Sequence, residues 1–294
     1  MTTTEVPTAT EVIRLWPDGP PSSIAVGGDE VSYVNPAGIA AGTTSLRNIS
    51  DPTLTVVAPP AGTANGLGVI VVPGGGWTVN MWTHEGIDIA NWLVGEGYTC
   101  FVLKYRVQAS PPDPETFMAM MAMLDSVHAP RLQAQLPRAI SDEISTDAYL
   151  EARAAAADDG RRAIAIVREE ADRFGINAGA LGMIGFSAGA FLAVDVALDP
   201  QAEQLAYIAP IYGGETRGVP VPTDAPPLFT AVAQDDILLK IVEGLHADWS
   251  AADRSSELHV FSQGQHGFGL VQQGMASDQW TKLFLAWLKD RAVS

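Results

Sequence analysis

The stretch from Leu181 to Leu192, LGMIGFSAGAFL, is an apolar run that passes through Gly185-Phe186-Ser187-Ala188-Gly189 into a helix-compatible apolar segment. This is a GxSxG pattern in the strand-to-helix setting that gives it mechanical meaning. A serine held on so tight a turn leaves no room for a Cβ two residues before or after it, which accounts for both glycines. Its hydroxyl is pushed out above the sheet, and Ser187 becomes the candidate nucleophile.

A serine hydroxyl is a poor nucleophile at neutral pH, so the elbow needs a base and an orienting acid in the chain order Ser, Asp or Glu, His. Pro227 to Ala233 (PLFTAVA) reads as a buried strand ending at Gln234-Asp235-Asp236. Leu258 to Ser262 (LHVFS) reads as another, followed by Gln263-Gly264-Gln265-His266-Gly267-Phe268-Gly269. Both candidates lie just beyond a strand's carboxyl end, where open α/β sheets place their sites. Of the five histidines, His259 falls inside a strand pattern, His246 in a helix-like stretch and His128 in an insert. His84, in Thr83-His84-Glu85-Gly86, reads either as a helix-capping residue or as part of a pocket rim. Only His266 has a preceding strand and flanking glycines, the setting of a base on a loop. The acid is Asp235 or Asp236; counting back from Ile237-Leu238-Leu239 favours Asp236, although the loop AQDDILLK lacks the prolines of a DDPLVP pattern.

Upstream, Val69-Ile70-Val71-Val72-Pro73-Gly74-Gly75-Gly76-Trp77 is a β-branched strand running into a glycine turn. Glycines let backbone N–H groups approach an acyl oxygen unobstructed, as an oxyanion hole requires together with the amide after the nucleophile. The candidate donors are Gly75, Gly76 and Ala188, with the Trp77 N–H as a substitute.

Strands alternate with helical patterns along the chain, the signature of an α/β fold. After fifty residues rich in Gly, Pro, Ser and Thr, read as an extended arm (1–50) with short apolar bursts at 12–16 and 31–34, strands are expected at 53–58, 68–73 and 98–104. A crossover helix is expected over 83–93 and a second over Arg161 to Phe174. Further strands at 181–186, 205–212, 228–233 and 258–262 alternate with helices after the elbow, over 237–249 and over 278–289. Residues 107–160 break the rhythm with Ser110-Pro111-Pro112-Asp113-Pro114, a methionine-rich run from Met118 to Met123 and the alanines of 154–157. So long an excursion in a compact domain reads as a helical insert or lid. Its methionines suit either an adaptable acyl pocket or the core side of a helix.

With 294 residues and 47% hydrophobic content, the chain can bury one large core, and a single domain over 1–294 is expected. Its 34 acidic and 17 basic residues, net charge −17, argue against nucleic acid or anionic membrane as partners. The single cysteine, Cys100, allows no internal disulfide, and neither a basic-then-apolar leader nor a long apolar span is present. A cytoplasmic protein is expected, or a secreted one if a leader has been removed. Oligomerisation is left open, and no metal or organic cofactor is implied.

Five stretches together carry a resemblance: LWPDGPPSS (15–23), VIVVPGGGW (69–77), HEGIDIANWLVGEGYTCFVLKYR (84–106), GMIGFSAGAFLA (182–193) and LHVFSQGQHGFGL (258–270). The chain resembles the α/β-hydrolase esterases grouped with acetyl-xylan and feruloyl esterases, over most of its length and least over 107–160. It is also similar to hormone-sensitive-lipase-like esterases, but Pro73 stands where those have a histidine. The resemblance implies an eight-stranded, mostly parallel sheet, a Ser187, Asp236, His266 triad and hydrolysis of short-acyl esters, often on decorated sugars. Two other readings use the same residues: a serine exopeptidase or amide hydrolase, and a catalytically silent binding protein on the same fold.

Overall fold

The computed structural model describes residues 11–22, 24, 28–121 and 147–290. Their frame is an eight-stranded sheet in the order β1 (Glu11–Arg14), β4 (Thr53–Val57), β7 (Thr99–Lys104), β5 (Gly68–Val72), β8 (Gly182–Phe186), β9 (Tyr207–Ile211), β10 (Leu228–Ala233) and β11 (Ser256–Phe261). From β7 to β11 all neighbours pair in parallel, whereas β4 runs antiparallel to both β7 and β1. This is the α/β-hydrolase fold. A small antiparallel sheet of β2 (Val31–Val34), β3 (Thr44–Arg47) and β6 (Val79–Asn80) stands beside it.

The central strands GVIVV, GMIGF, YIAPI and LFTAVA are buried at every position. A parallel sheet covered on both faces selects continuous apolar strands of this kind. Alternate side chains serve opposite layers. Ile70 and Val72 join Leu103, Met183, Ile164 of α2 (Asp147–Glu169) and Leu192 of α3 (Ala188–Leu198). Val69 and Val71 point the other way, to Leu93 of α1 (Asp88–Gly95) and to Trp280, Phe284 and Trp287 of α5 (Trp280–Asp290). Between β10 and β11 the chain crosses over through α4 (Leu239–Ala251).

Two boundaries differ from the sequence reading. The helix expected over Arg161 to Phe174 begins by Asp147, runs to Glu169 and, after a break at Glu170, resumes as the short helix Ala171–Phe174, its expected end, so the last part of the 107–160 insert is in fact crossover helix. Alanine is the strongest helix former, and Ala152, Ala155 and Ala156 are buried. Gly160 allows close packing: a Cβ there would lie 2.8 Å from Leu192 Cδ2. At the front of the insert, 114–121 is helical and buries Phe117 while Met118 stays exposed. Met123 and His128 lie outside the described residues.

The 1–50 segment contributes β1 as the sheet's edge strand and β2 and β3 to the small sheet. Cys100 is buried, and burial pushes its thiol pKa far up, so the thiol stays protonated. Among the described residues no helix is long and apolar enough to cross a membrane.

Candidate active site

Each residue of the site follows the carboxyl end of a parallel strand. β8 ends at Phe186 and α3 begins at Ala188, leaving Ser187 alone on the elbow with φ 49° and ψ −117°. A non-glycine residue seldom holds a positive φ, and such strain persists only where packing dictates it. Packing does so here. A Cβ on Gly185 would stand 2.1 Å from the Gly189 carbonyl oxygen, and one on Gly189 would stand 2.1 Å from that of Val72. The Ser187 N–H donates to the Ile211 carbonyl at 3.1 Å, tying the elbow to β9.

The histidine on the loop after β11 meets this serine: His266 Nε2 is 2.9 Å from Ser187 Oγ. Its Nδ1 lies 2.9 Å from Asp236 Oδ2 and 3.1 Å from Oδ1. Asp236 is buried on the loop after β10, and its Oδ1 also accepts the Leu238 N–H at 2.7 Å, starting α4. The neighbouring Asp235 is exposed and accepts the Gln265 N–H at 2.9 Å. Of the adjacent aspartates, the structure therefore brings Asp236 to the imidazole and places Asp235 on the backbone of the histidine loop. Burial opposes the charged form of His266, but the charge and hydrogen bond of Asp236, with the charge of Glu85, outweigh it and raise the imidazole pKa.

The other described histidines stand apart from this chain of hydrogen bonds. His246 Nδ1 is 2.7 Å from Ser256 Oγ, and His259 Nε2 is 2.7 Å from Glu257. His84 neither caps its helix nor lines a rim. It is buried, and because a carbonyl only accepts, its Nε2–H donates to the Gly267 carbonyl at 2.8 Å, supporting the loop that carries His266. Trp280 Nε1–H holds the same loop by donating to the Gly269 carbonyl at 2.7 Å.

The glycine turn after β5 folds back on itself. The Thr78 and Val79 N–H groups donate to the Gly75 carbonyl at 3.1 and 3.0 Å. Gly75 has φ 126°, where a Cβ would meet the Val79 carbonyl oxygen at 2.2 Å, and Gly76 has φ 59° and faces open space. Among the described residues, the N–H groups of Gly75, Gly76 and Ala188 donate to no protein acceptor, whereas the Gly74 N–H donates to Glu85 Oε2 at 2.9 Å. Trp77, at φ 61°, is buried against Tyr105 and Tyr149.

Sequence reading missed Glu85 and Tyr212 beside the site. Glu85 and His84 lie on one π-helical turn, Trp82–Ile87, and both are buried. The other Glu85 oxygen, Oε1, accepts from Tyr212 Oη at 2.6 Å. Tyr212 follows β9 at φ 41°, and its ring centroid is 5.2 Å from that of His266. Burial first, and then the Glu85 carboxylate, keep the Tyr212 phenol protonated by pushing its pKa well up. The one available signal was an acid beside His84 at the entrance to an otherwise apolar helix. Among the described residues no cluster of three His, Cys, Asp or Glu side chains is arranged to hold a metal ion.

Fold and site together define an α/β-hydrolase. The sequence matches the dienelactone hydrolase family over residues 54–290, and the chain belongs to that family, whose members hydrolyse ester bonds. No curated protein sequence matches it. Similar solved structures include an acetyl ester-xyloside bifunctional hydrolase from Caldicellulosiruptor lactoaceticus, at 21% identity and TM-score 0.64, covering 98% of each chain. MGS-M1, an α/β-hydrolase enzyme from a Medee basin deep-sea metagenome library, is 19% identical at TM-score 0.59, over 82% of this chain and 92% of its own. The thermophilic esterase Est2 of Thermogutta terrifontis is 16% identical at TM-score 0.58, over 84% and 89%.

Proposed function

We propose that the protein is a serine carboxylic ester hydrolase acting on short-acyl esters through an acyl-enzyme. The observation that carries this reading is the unbroken series Ser187 Oγ, His266 Nε2, His266 Nδ1, Asp236, with contacts of 2.9 Å on both sides of the ring. Ser187 Oγ bonds to the acyl carbon as its proton passes to Nε2. The tetrahedral oxyanion sits against the Gly75, Gly76 and Ala188 amides, each such donor typically contributing about 10²- to 10³-fold in rate. The C–O bond to the alcohol then breaks, and Nε2 returns the proton to the leaving oxygen. Water repeats the sequence on the acyl-enzyme, while Asp236 holds the ring and favours the imidazolium formed at each transfer.

Acetylated or feruloylated carbohydrates are the substrates we favour within this class. The sequence stretches shared with acetyl-xylan and feruloyl esterases support them, as does similarity in fold to a hydrolase of acetyl esters.

A fluorophosphonate probe is expected to label folded protein at Ser187 and to leave a Ser187→Ala variant unlabelled. An unlabelled wild-type chain would instead favour the silent binding protein. Across p-nitrophenyl esters from acetate to decanoate, run beside acetylated xylan and methyl ferulate, the highest kcat/KM is expected at the short end. A maximum at decanoate overturns the acyl preference.

The pH profile follows from the ring. His266 must be neutral to accept the serine proton, and its pKa is raised above the ordinary 6.5. Activity should therefore fall as pH drops through a value above 6.5, where kcat/KM reports the free enzyme. An acid limb centred below 6.5 would contradict the arrangement.

A further inference from the structure

Glu85 is a buried carboxylate that, among the described residues, is paired with no lysine or arginine. Burying an anion away from water without a cation is costly, and a chain gains nothing in packing that a glutamine or an apolar residue would not supply more cheaply. Its surroundings suggest why it is kept. Oε2 accepts the Gly74 N–H at 2.9 Å, at the root of the glycine turn, and Oε1 accepts the Tyr212 hydroxyl at 2.6 Å, on the loop after β9. A Cβ built on Gly267, next to His266, would lie 4.0 Å from the same Oε1. One carboxylate thus stands among the loops that carry the candidate oxyanion donors, the aromatic wall of the imidazole and the imidazole itself.

Resting on the ester-hydrolase reading above, we propose that Glu85 is a positioning residue for the reaction. It sets the glycine turn through the Gly74 amide and the wall behind His266 through Tyr212, and its charge supports the imidazolium that forms when Ser187 gives up its proton. Two fixed acceptors on one short side chain lock both loops at once, which two separate hydrogen bonds to water could not do. Each loop otherwise pivots on left-handed residues, Gly75 and Gly76 in one and Tyr212 in the other.

The groups facing His266 are Asp236 from the loop after β10, Glu85 from the π-helical turn, Tyr212 from the loop after β9 and Ser187 from the elbow. Tyr105, whose hydroxyl donates to the Pro73 carbonyl at 2.8 Å, also borders Glu85. Of these, the two carboxylates favour the imidazolium. Removing one negative charge must therefore lower the pKa of the ring and move the acid limb of kcat/KM to lower pH.

Three variants separate position from charge. Glu85→Gln keeps the shape but loses the charge and one acceptor. It is expected to fold, to lose about 10²-fold in kcat with KM little changed, and to shift its acid limb downward. Glu85→Asp keeps the charge but is one methylene too short to reach both partners, so kcat falls while the limb stays in place. Tyr212→Phe removes the hydroxyl that donates to Glu85 and accepts the Gly269 N–H, and is expected to lose kcat several-fold at unchanged KM, which keeps the test alive if either Glu85 variant fails to fold. A folded Glu85→Gln enzyme with wild-type kcat or a wild-type acid limb, or a folded Tyr212→Phe enzyme with wild-type kcat, overturns the proposal. Fluorophosphonate labelling of the wild-type chain keeps the two readings apart. Without wild-type labelling and turnover it is the ester-hydrolase reading that falls, whereas labelled, active wild type with indifferent variants removes Glu85 alone.

Discussion

Asp236→Asn is expected to lower kcat on the best ester substrate by about 10⁴-fold, whereas Asp235→Asn lowers it by no more than a few-fold. The difference comes from what the Asp236 oxygens hold. Oδ1 accepts the Leu238 N–H at 2.7 Å, so an asparagine keeps its carbonyl oxygen there and turns its amide nitrogen to the Oδ2 position, 2.9 Å from His266 Nδ1. An NH₂ group only donates, so Nδ1 must become the acceptor and the ring proton moves to Nε2. That proton then points at Ser187 Oγ, where the base should be free. Fold and serine are untouched, yet the tautomer is wrong. Asp235 is exposed and accepts a single N–H, from Gln265 at 2.9 Å, which an asparagine oxygen can also accept. Steady-state kinetics on both variants, with circular dichroism to confirm folding, decides the matter. Equal losses from the two would show that the carboxylate beside the ring is not what sets the tautomer.

That pair of aspartates also marks where sequence stops being informative. Ser187 and His266 could be picked out because their constraints are local: glycines two residues either side of one, a strand and flanking glycines for the other. Asp235 and Asp236 are neighbours with the same chemistry, and which one turns inward depends on the hydrogen bond to Leu238 that opens α4. The helix from Asp147 was hidden for a related reason. Asp159 and Gly160 interrupt its periodicity when read alone, but Gly160 admits Leu192 and Asp159 answers a buried arginine. Glu85 and Tyr212 are 127 residues apart. Neither carries a pattern of its own, and their relation exists only once β5, β9 and the turn after β5 stand side by side.

Asp159→Ala is expected to cost about 3–5 kcal/mol of stability, the largest loss of any single side chain outside the site that we anticipate. Asp159 of α2 and Arg106, two residues beyond β7, are both fully buried with 2.8 Å between Nη2 and Oδ1. The same carboxylate accepts the Arg106 N–H at 3.0 Å and the Trp16 indole N–H at 2.8 Å, while the guanidinium reaches the carbonyls of Ala155 and Ser22. One buried ion pair thus ties the N-terminal segment, the end of a central strand and the crossover helix together. Alanine leaves a buried guanidinium without its counter-charge and two N–H donors without acceptors, which accounts for the size of the loss. Removing both partners is a different matter, because paired buried charges have each already given up their hydration. The double variant Arg106→Met with Asp159→Leu should recover most of what the single change loses. Urea unfolding of wild type, the two single variants and the double closes the cycle. A double variant no more stable than Asp159→Ala would mean that the charges serve the hydrogen bonds to Trp16 and Ser22 more than they serve each other.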